Sequence, residues 1–282
     1  MLQINRVILN FTSRCDMRCT YCYVPFDHRR PDPEMPFRVI ERCHELGASA
    51  ITIAGANPFL FPDLRNLVIK AKELIGFVHI DTNLLRNDDA RVISISRSVD
   101  LLGVPLDGSL AVIHDRVRSA RGHYHVVLRL LPLLISSGVH VKVNTVITAE
   151  NMHDVKNIAR LVCELKPATW SIYEFWPMER GLANRLRHQT VADFHLTAQP
   201  LRELASGVHV EFGSITDRAQ HYFFVNDRGL LYTIDPASTE RYVFLGSVFD
   251  DSVVQRWGEI ASGTLRRSIT LRYSYAKTTG RN

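Results

Sequence analysis

Three cysteines stand close together near the start of the chain as Cys15-x-x-x-Cys19-x-x-Cys22, with Tyr21 just before the third. Three thiolates can hold three irons of a [4Fe-4S] cube and leave a fourth iron open to a ligand from outside the protein. Zinc is the rival reading. A structural zinc normally takes four ligands, and the next candidate after Cys22 is His28, beyond the usual short spacing. A redox Cys-x-x-Cys leaves the third cysteine unexplained, and structural thiols remain the bland alternative.

The elements that must position such a site follow from periodicity. Short β-branched runs at 6–10, 50–54, 78–82, 101–106, 140–147 and 170–175 alternate with amphipathic stretches near 36–46, 63–74, 88–96, 123–136 and 151–165. Gly47, Gly76 and Gly138 each sit where a left-handed helix C-cap would fall. Six βα units with right-handed crossovers predict a parallel α/β sheet, either curled into an open, partial barrel or laid out as a twisted sheet flanked by helices. The cysteines then lie in the loop after the first strand, at the sheet's C-terminal end, where α/β proteins build their sites. After Pro177 the pattern changes to a helix near 191–205, short strands at 208–212, 222–225 and 230–233, a further strand at 242–248 and a helix near 252–262. The expected division is a core over 1–180 and a small α+β extension or lid over 181–282, with the strands around Asp227-Arg228-Gly229 forming a hairpin.

Composition narrows the class. With 46% hydrophobic and 22% charged residues in 282, the chain can bury a full core, and it holds no apolar run of the roughly 20 residues a membrane span needs. The opening Met-Leu-Gln-Ile-Asn-Arg lacks a secretory pattern, and five cysteines, with Cys43 and Cys163 read as core thiols, suit a reducing cytoplasm. A net charge of +5, with basic residues at His28-Arg29-Arg30 and after Arg266, is read as solvated surface and makes no case for nucleic acid or membrane.

The cysteine motif resembles that of the radical S-adenosylmethionine (SAM) superfamily, and later motifs resemble the branch containing the molybdenum-cofactor cyclase, peptide-modifying and sulfatase-maturing enzymes and viperin-like nucleotide dehydratases. Gly55-Ala56-Asn57-Pro58 stands where this branch has Gly-Gly-Glu-Pro, Asp81-Thr82-Asn83 resembles Thr-Asn-Gly with leucine at the glycine, and Val104-Pro105-Leu106-Asp107-Gly108 resembles Val-Ser-Leu-Asp-Gly. His114-Asp115-Arg116-Val117-Arg118 resembles the following His-Asp-x-x-Arg, and Asn144 lies on a strand resembling Val-Asn-Thr-Val-Val that leads to a helix-capping Asn151.

The resemblance implies a [4Fe-4S] cluster on Cys15, Cys19 and Cys22 whose open iron takes the amino and carboxylate groups of SAM. Reduction then cleaves SAM to a 5'-deoxyadenosyl radical. It further implies SAM contacts from Tyr21, Gly55, Ala56, Asn57 (through its carbonyl), Asn83, Arg118 (on the SAM carboxylate, with Arg116 as fallback) and Asn144, and an adenine wall from Phe175 or Met178. Asp107, Tyr173 and Glu174 are the candidate substrate-side groups, with Arg180 as an ion-pair partner for Glu174. Cysteines after Cys163, which would hold auxiliary clusters, are absent. The favoured reading is a single-cluster enzyme acting on a small molecule, a nucleotide or natural-product intermediate, with a flavodoxin or ferredoxin as reductant. The alternatives are a peptide-modifying radical SAM enzyme and a non-catalytic zinc or iron-sulfur protein.

Overall fold

The computed structural model describes residues 6–25, 32–85, 88–179, 183, 194–218, 223–235 and 238–262. Seven strands lie side by side and parallel: β1 (Arg6–Asn10), β2 (Ala50–Ala54), β3 (Phe77–Asp81), β4 (Leu101–Pro105), β5 (Val141–Ile147), β6 (Thr169–Glu174) and β7 (His209–Gly213). On the other side of β1 the same sheet continues with β8 (Phe223–Asn226), parallel, then antiparallel β9 (Leu230–Asp235) and β10 (Ser238–Ser247). The order β10-β9-β8-β1-β2-β3-β4-β5-β6-β7 leaves β10 and β7 as edges, so the sheet is open. The six expected core strands are present within a residue at each end. The segment after residue 180 adds strands to both edges of that sheet, and β8–β9 form the expected antiparallel pair, with Gly229 at φ +70° in its turn.

Between the strands run α1 (Met35–Glu45), α2 (Leu64–Leu74), α3 (Asp89–Ser96), α4 (Ala111–Arg118), α5 (His123–Ser136), α6 (Val155–Leu165), α7 (Phe194–Leu204) and α8 (Ile215–Arg218), and α9 (Asp251–Ser262) follows β10. Periodicity missed α4, whose buried face is only Ile113, His114 and Val117 and whose N-terminus has no side-chain cap. Helix α6 begins later than expected. Asp154, not Asn151, stands at its N-cap, and Asn151 Nδ2 donates instead to the carbonyls of Asp107 and Val146, tying β4 to β5. Gly47 and Gly138 take the left-handed conformation, whereas Gly76 does not.

Strand alternation divides the sheet into two unlike faces. Val7, Leu9, Ile51, Ile53, Val78, Ile80, Leu102, Val104, Val141 and Val143 pack against Val39, Ile40, Leu67, Val127, Leu131, Ile158 and Val162 of the helices. Each such side chain contributes roughly 1.5–3 kcal/mol by leaving water. The opposite, concave face carries Arg6, Thr52, His79, Asp81, Lys142, Asn144, Ser171 and Glu211 at alternate positions. Parallel strands with two buried faces usually read as unbroken apolar runs, so a polar inner face marks a working interior. Outside the described residues lie the His28-Arg29-Arg30 cluster, Arg180, Tyr222 and the tail after Arg266. Among the described residues no helix is long and apolar enough to cross a membrane.

Candidate active site

The concave face encloses a cavity of about 220 Å³ at the C-terminal ends of the strands. Cys15, Cys19 and Cys22, all half-buried thiols, line it together with Tyr21, Gly55, Ala56, Asn83, Arg118, Asn144, Tyr173 and Glu174. The cysteine loop is pinned to the end of β2: the Ala56 amide donates to Thr12 O (3.1 Å) and the Asn57 amide to Arg14 O (3.1 Å). Gly55 permits this approach, because its φ is +113° and a Cβ there would fall 2.8 Å from Thr12 O. Gly55→Ala is therefore expected to cost about 1–3 kcal/mol from the backbone conformation alone and to lower bound iron by displacing the loop. An unchanged denaturation midpoint and iron content would contradict that role.

Several expected residues lie behind the wall. Asn57 is fully buried; its Oδ1 accepts from the Phe59 amide (3.3 Å) and the Thr82 hydroxyl (3.1 Å), and its Nδ2 donates to Asp16 Oδ1 (3.1 Å). The carbonyl expected to meet a cofactor is thus engaged within the protein. Asn83 does reach the cavity, with Nδ2 2.9 Å from Asp16 Oδ1 and 3.8 Å from Cys15 Sγ. Leu84, at the glycine position of the motif, adopts φ +63°. That costs a non-glycine residue roughly 1–2 kcal/mol and is offset by complete burial of the leucine side chain.

Phe175 packs on Tyr21 and Val117, and Met178 packs among Ile8, Trp176, Phe224 and Tyr232. Neither lines the cavity, whereas Trp176, which the sequence reading passed over, does. Glu174 Oε2 accepts from the Ile215 amide (2.8 Å) at the start of α8.

Arg118 ends α4 and turns into the cavity, whereas Arg116, about half exposed, faces Glu150. The Arg118 Nη1 meets Asp107 Oδ2 at 3.1 Å and the Tyr21 hydroxyl, which itself donates to Asp107 Oδ2 at 2.9 Å. Asp107 is completely buried, with Oδ1 accepting from the Val146 amide at 2.7 Å. It is a hub that orients Arg118 rather than a group facing a substrate. Burial holds the Tyr21 hydroxyl well above its usual range, so it stays neutral beside the ion pair.

A chain of imidazoles ties this hub to the β3 loop. The Asp107 amide donates to His114 Nδ1 (3.0 Å), so His114 carries its proton on Nε2, toward His123 Nδ1 (2.9 Å). His123 then directs Nε2 at Asn83 O (2.6 Å). Burial, followed by the neighbouring Arg118 charge, lowers His123 to about 4, and burial lowers His114 well below 6.5. His79 on β3 is likewise lowered to about 4 by burial. An unfolded imidazole near 6.5 binds a proton that the folded one refuses. Stability is therefore full above about pH 6.5 and lost as pH falls toward 4, by up to about 1.4 kcal/mol per pH unit per imidazole. Denaturant titrations at pH 7 and pH 5.5 should show a lower midpoint at pH 5.5, and equal midpoints would remove these histidines as neutral buried groups.

The Radical SAM superfamily matches residues 9–162, more than half of the chain. The chain belongs to that superfamily. It is 24% identical over 184 residues to an AdoMet-dependent heme synthase of Nitratidesulfovibrio vulgaris, covering 62% of this chain and 50% of that one. It is 24% identical over 179 residues to an S-adenosylmethionine-dependent nucleotide dehydratase of Flammeovirga pacifica, covering 58% and 60%. The chain thus spans about half to three-fifths of the length of these relatives. In fold it is similar to Streptococcus suis SuiB bound to S-adenosylmethionine, with a TM-score of 0.72 at 15% identity over 98% of this chain and 72% of that one. It is also similar to anSMEcpe with bound AdoMet and a peptide, with a TM-score of 0.69 at 15% identity over 97% and 87%.

Members of that superfamily use a [4Fe-4S] cluster with SAM, and the residues of this chain fit both groups. Cys15, Cys19 and Cys22 all line the cavity, and three thiolates can hold three irons of a cube and leave the fourth open. Burial raises the Cys15 thiol above its ordinary value, and a metal held there would favour the thiolate form. Arg118 fits a carboxylate: its Nη1 is fixed by Asp107 and Tyr21, and its buried Nε meets no acceptor among the described residues. The Nε edge of the guanidinium is the one left for a planar anion. The other thiols lie apart from the cavity wall, with Cys43 fully buried and pushed up to about 12 by that burial, and Cys163 Sγ donating to Leu204 O at 3.0 Å.

Arg6 and Lys142 on the concave face and Arg218 on the cavity stand outside every motif quoted from the sequence. Arg218, at the end of α8, lies over the Trp176 ring (4.5 Å) and the Tyr173 ring (5.3 Å) and lines the cavity. No motif signals it, because it reaches the site only through the pairing of β7 with β6.

Proposed function

We propose that this enzyme uses a single cluster, held by Cys15, Cys19 and Cys22, to cleave SAM reductively and to remove a hydrogen atom from a small, nucleotide or nucleoside-like substrate. The observation that carries the reading is the shared cavity, which joins the three thiols and Arg118 to a polar floor and an aromatic wall of Tyr23, Trp176 and Phe224. When bound, the cluster and SAM supply the radical chemistry. Arg118 orients the SAM carboxylate, with Asp107 and Tyr21 fixing its guanidinium. Asn83, Gly55 and Ala56 flank the amino-acid end, and Asn144 flanks the ribose. Tyr173 and Glu174 stand on the substrate side, and the aromatic wall excludes water from the reacting carbon. Residues 1–180 hold the cofactor machinery, and 181–282 complete the substrate end.

A relative named as a nucleotide dehydratase supports the substrate class. Five cysteines, two of them away from the cavity, support one cluster in this chain. A flavodoxin or ferredoxin in a reducing cytoplasm suits the electron requirement.

Anaerobic reconstitution, followed by dithionite and SAM, is expected to give four irons per chain and 5'-deoxyadenosine, with faster release when the right nucleotide is added. Zinc alone in anaerobically purified protein, or faster release with peptides but no nucleotide, would overturn the corresponding part of the reading.

A further inference from the structure

Arg218 lines the same cavity as the cysteine loop, yet the cofactor contacts above do not use it. It closes α8, the short helix that follows β7, and only 7% of it is exposed. Its Nε donates to Ser214 O at 3.2 Å and its Nη2 to Glu174 O. Both carbonyls ask for a donor, not for a charge, and a neutral amide would serve them at a lower desolvation cost. The rings of Trp176 and Tyr173 lie against the guanidinium at 4.5 and 5.3 Å. Their electron-rich faces favour a cation, and they cover its plane, so an acceptor meets it along the edge where its N–H groups point. Opposite Tyr173 on β7 stands Gly213. A Cβ there would fall 2.7 Å from Tyr173 Cδ1 and 3.3 Å from Arg218 Cδ, so the ring and the arginine stem fill the place of a side chain.

The other charged groups on the cavity have work of their own. Arg118 is fixed by Asp107 and Tyr21 and fits the SAM carboxylate. Asp81 Oδ1 lies over Gly103, where a Cβ would fall 1.8 Å from it; it accepts from Asn144 Nδ2 at 2.9 Å and stands 3.1 Å from His79 Nε2 and 3.6 Å from Lys142 Nζ. Glu174 turns Oε2 to the Ile215 amide at 2.8 Å. Arg6 begins β1, at the opposite end of the strands, and its Nη2 donates to the Thr52 hydroxyl at 3.0 Å. Arg218 stands instead at the aromatic wall, where Tyr23 and Trp176 stack at 6.1 Å and Phe224 lies beside them. A flat ring stacked on that wall shares it with the guanidinium, which itself covers Trp176. An ionised oxyanion carried by such a ligand matches both the charge and the planar fork, whereas an ammonium is repelled.

We propose that Arg218 anchors an oxyanion of the substrate, a phosphate or a carboxylate, beside the aromatic wall. The phosphate form rests on the nucleotide reading above; the carboxylate form does not.

The test uses the full chain, reconstituted anaerobically and loaded with SAM so that Arg118 is engaged, as wild type, Arg218→Gln, Arg218→Lys and Gly213→Ala. Circular dichroism checks folding. Equilibrium dialysis compares charged probes with neutral partners: uridine 5'-monophosphate with uridine, adenosine 5'-monophosphate with adenosine, and benzoate with benzyl alcohol. Wild type is expected to bind the charged member of at least one pair about tenfold or more tighter than its partner. Arg218→Gln should erase that difference by weakening the charged member alone. Arg218→Lys keeps the buried cation and carries the test if the glutamine variant does not fold; it should lose part of the preference with the planar fork. Gly213→Ala, which displaces the side chain without changing its charge, should do the same. A preference for a monophosphate assigns a phosphate. A preference for benzoate with no nucleotide bound assigns a carboxylate, and then the nucleotide reading fails while this inference stands. Three results overturn it: equal binding within every pair by wild type, no binding of any probe, or a preference that persists unchanged in the folded Arg218 variants. Dithionite-driven release of 5'-deoxyadenosine by wild type, measured alongside, reports on the SAM-cleaving reading independently.

Discussion

Replacing Cys19 by alanine is expected to abolish the brown colour of the reconstituted protein and reduce 5'-deoxyadenosine release to background, while the sheet remains folded. The effect is all-or-none because a cube held by three thiolates cannot be held firmly by two, and no other cysteine lines the cavity to take its place. The fold should survive because Cys19 is only half-buried and the loop keeps independent anchors in the Ala56–Thr12 and Asn57–Arg14 backbone bonds and the Tyr21–Asp107 hydrogen bond. Iron and sulfide analysis with circular dichroism decides the matter. A variant that keeps its colour would remove Cys19 as a ligand, and one that unfolds would show the cysteine to be structural.

Arg118→Ala is expected to weaken SAM binding by roughly 1–3 kcal/mol, about 5- to 150-fold in Kd, through loss of a charge-assisted contact. The same change leaves the fully buried Asp107 without its cation, and a stranded buried charge costs about 3–5 kcal/mol of stability. The single variant therefore confounds two effects. Arg118→Ala combined with Asp107→Asn separates them, because it removes the stranded charge. Its stability should recover in part while SAM affinity stays low. Arg116→Ala is the control, since a half-exposed arginine facing Glu150 should change affinity by less than about twofold. Wild-type SAM affinity in the double variant would take the carboxylate contact away from Arg118.

Arg116 and Arg118 show where sequence reasoning stops. Both are two residues apart in one motif, and a helix turns successive positions through about 100°, so only one can face the cavity. Which one depends on how α4 docks on the barrel, and α4 was itself too short and weakly patterned to recognise. Asn57 and Asp107 make a related point. Each is a polar residue in a motif at a strand end, where a polar group looks available to a ligand, and each is buried with its acceptors engaged inside the protein, Asn57 by Phe59 and Thr82, and Asp107 by Val146. Motif position gives the loop, and packing determines which way the side chain points. Phe175 and Met178 went into core clusters for the same reason, while their neighbour Trp176 reached the wall.

The sequence by itself determined the cluster motif and the βα alternation, because both are local: a loop of eight residues sets the cysteine spacing, and side-chain period sets strand and helix. Tertiary structure decided the rest of the site. Asp81, Gly103, Lys142 and Asn144 come from three neighbouring strands, and their meeting depends on the register of β3 against β4 and β4 against β5. A slip of one residue would turn each of them to the other face. Long-range register is fixed by the burial of the opposite, apolar face against the helices, so the placement of the polar interior follows from the packing of the whole domain.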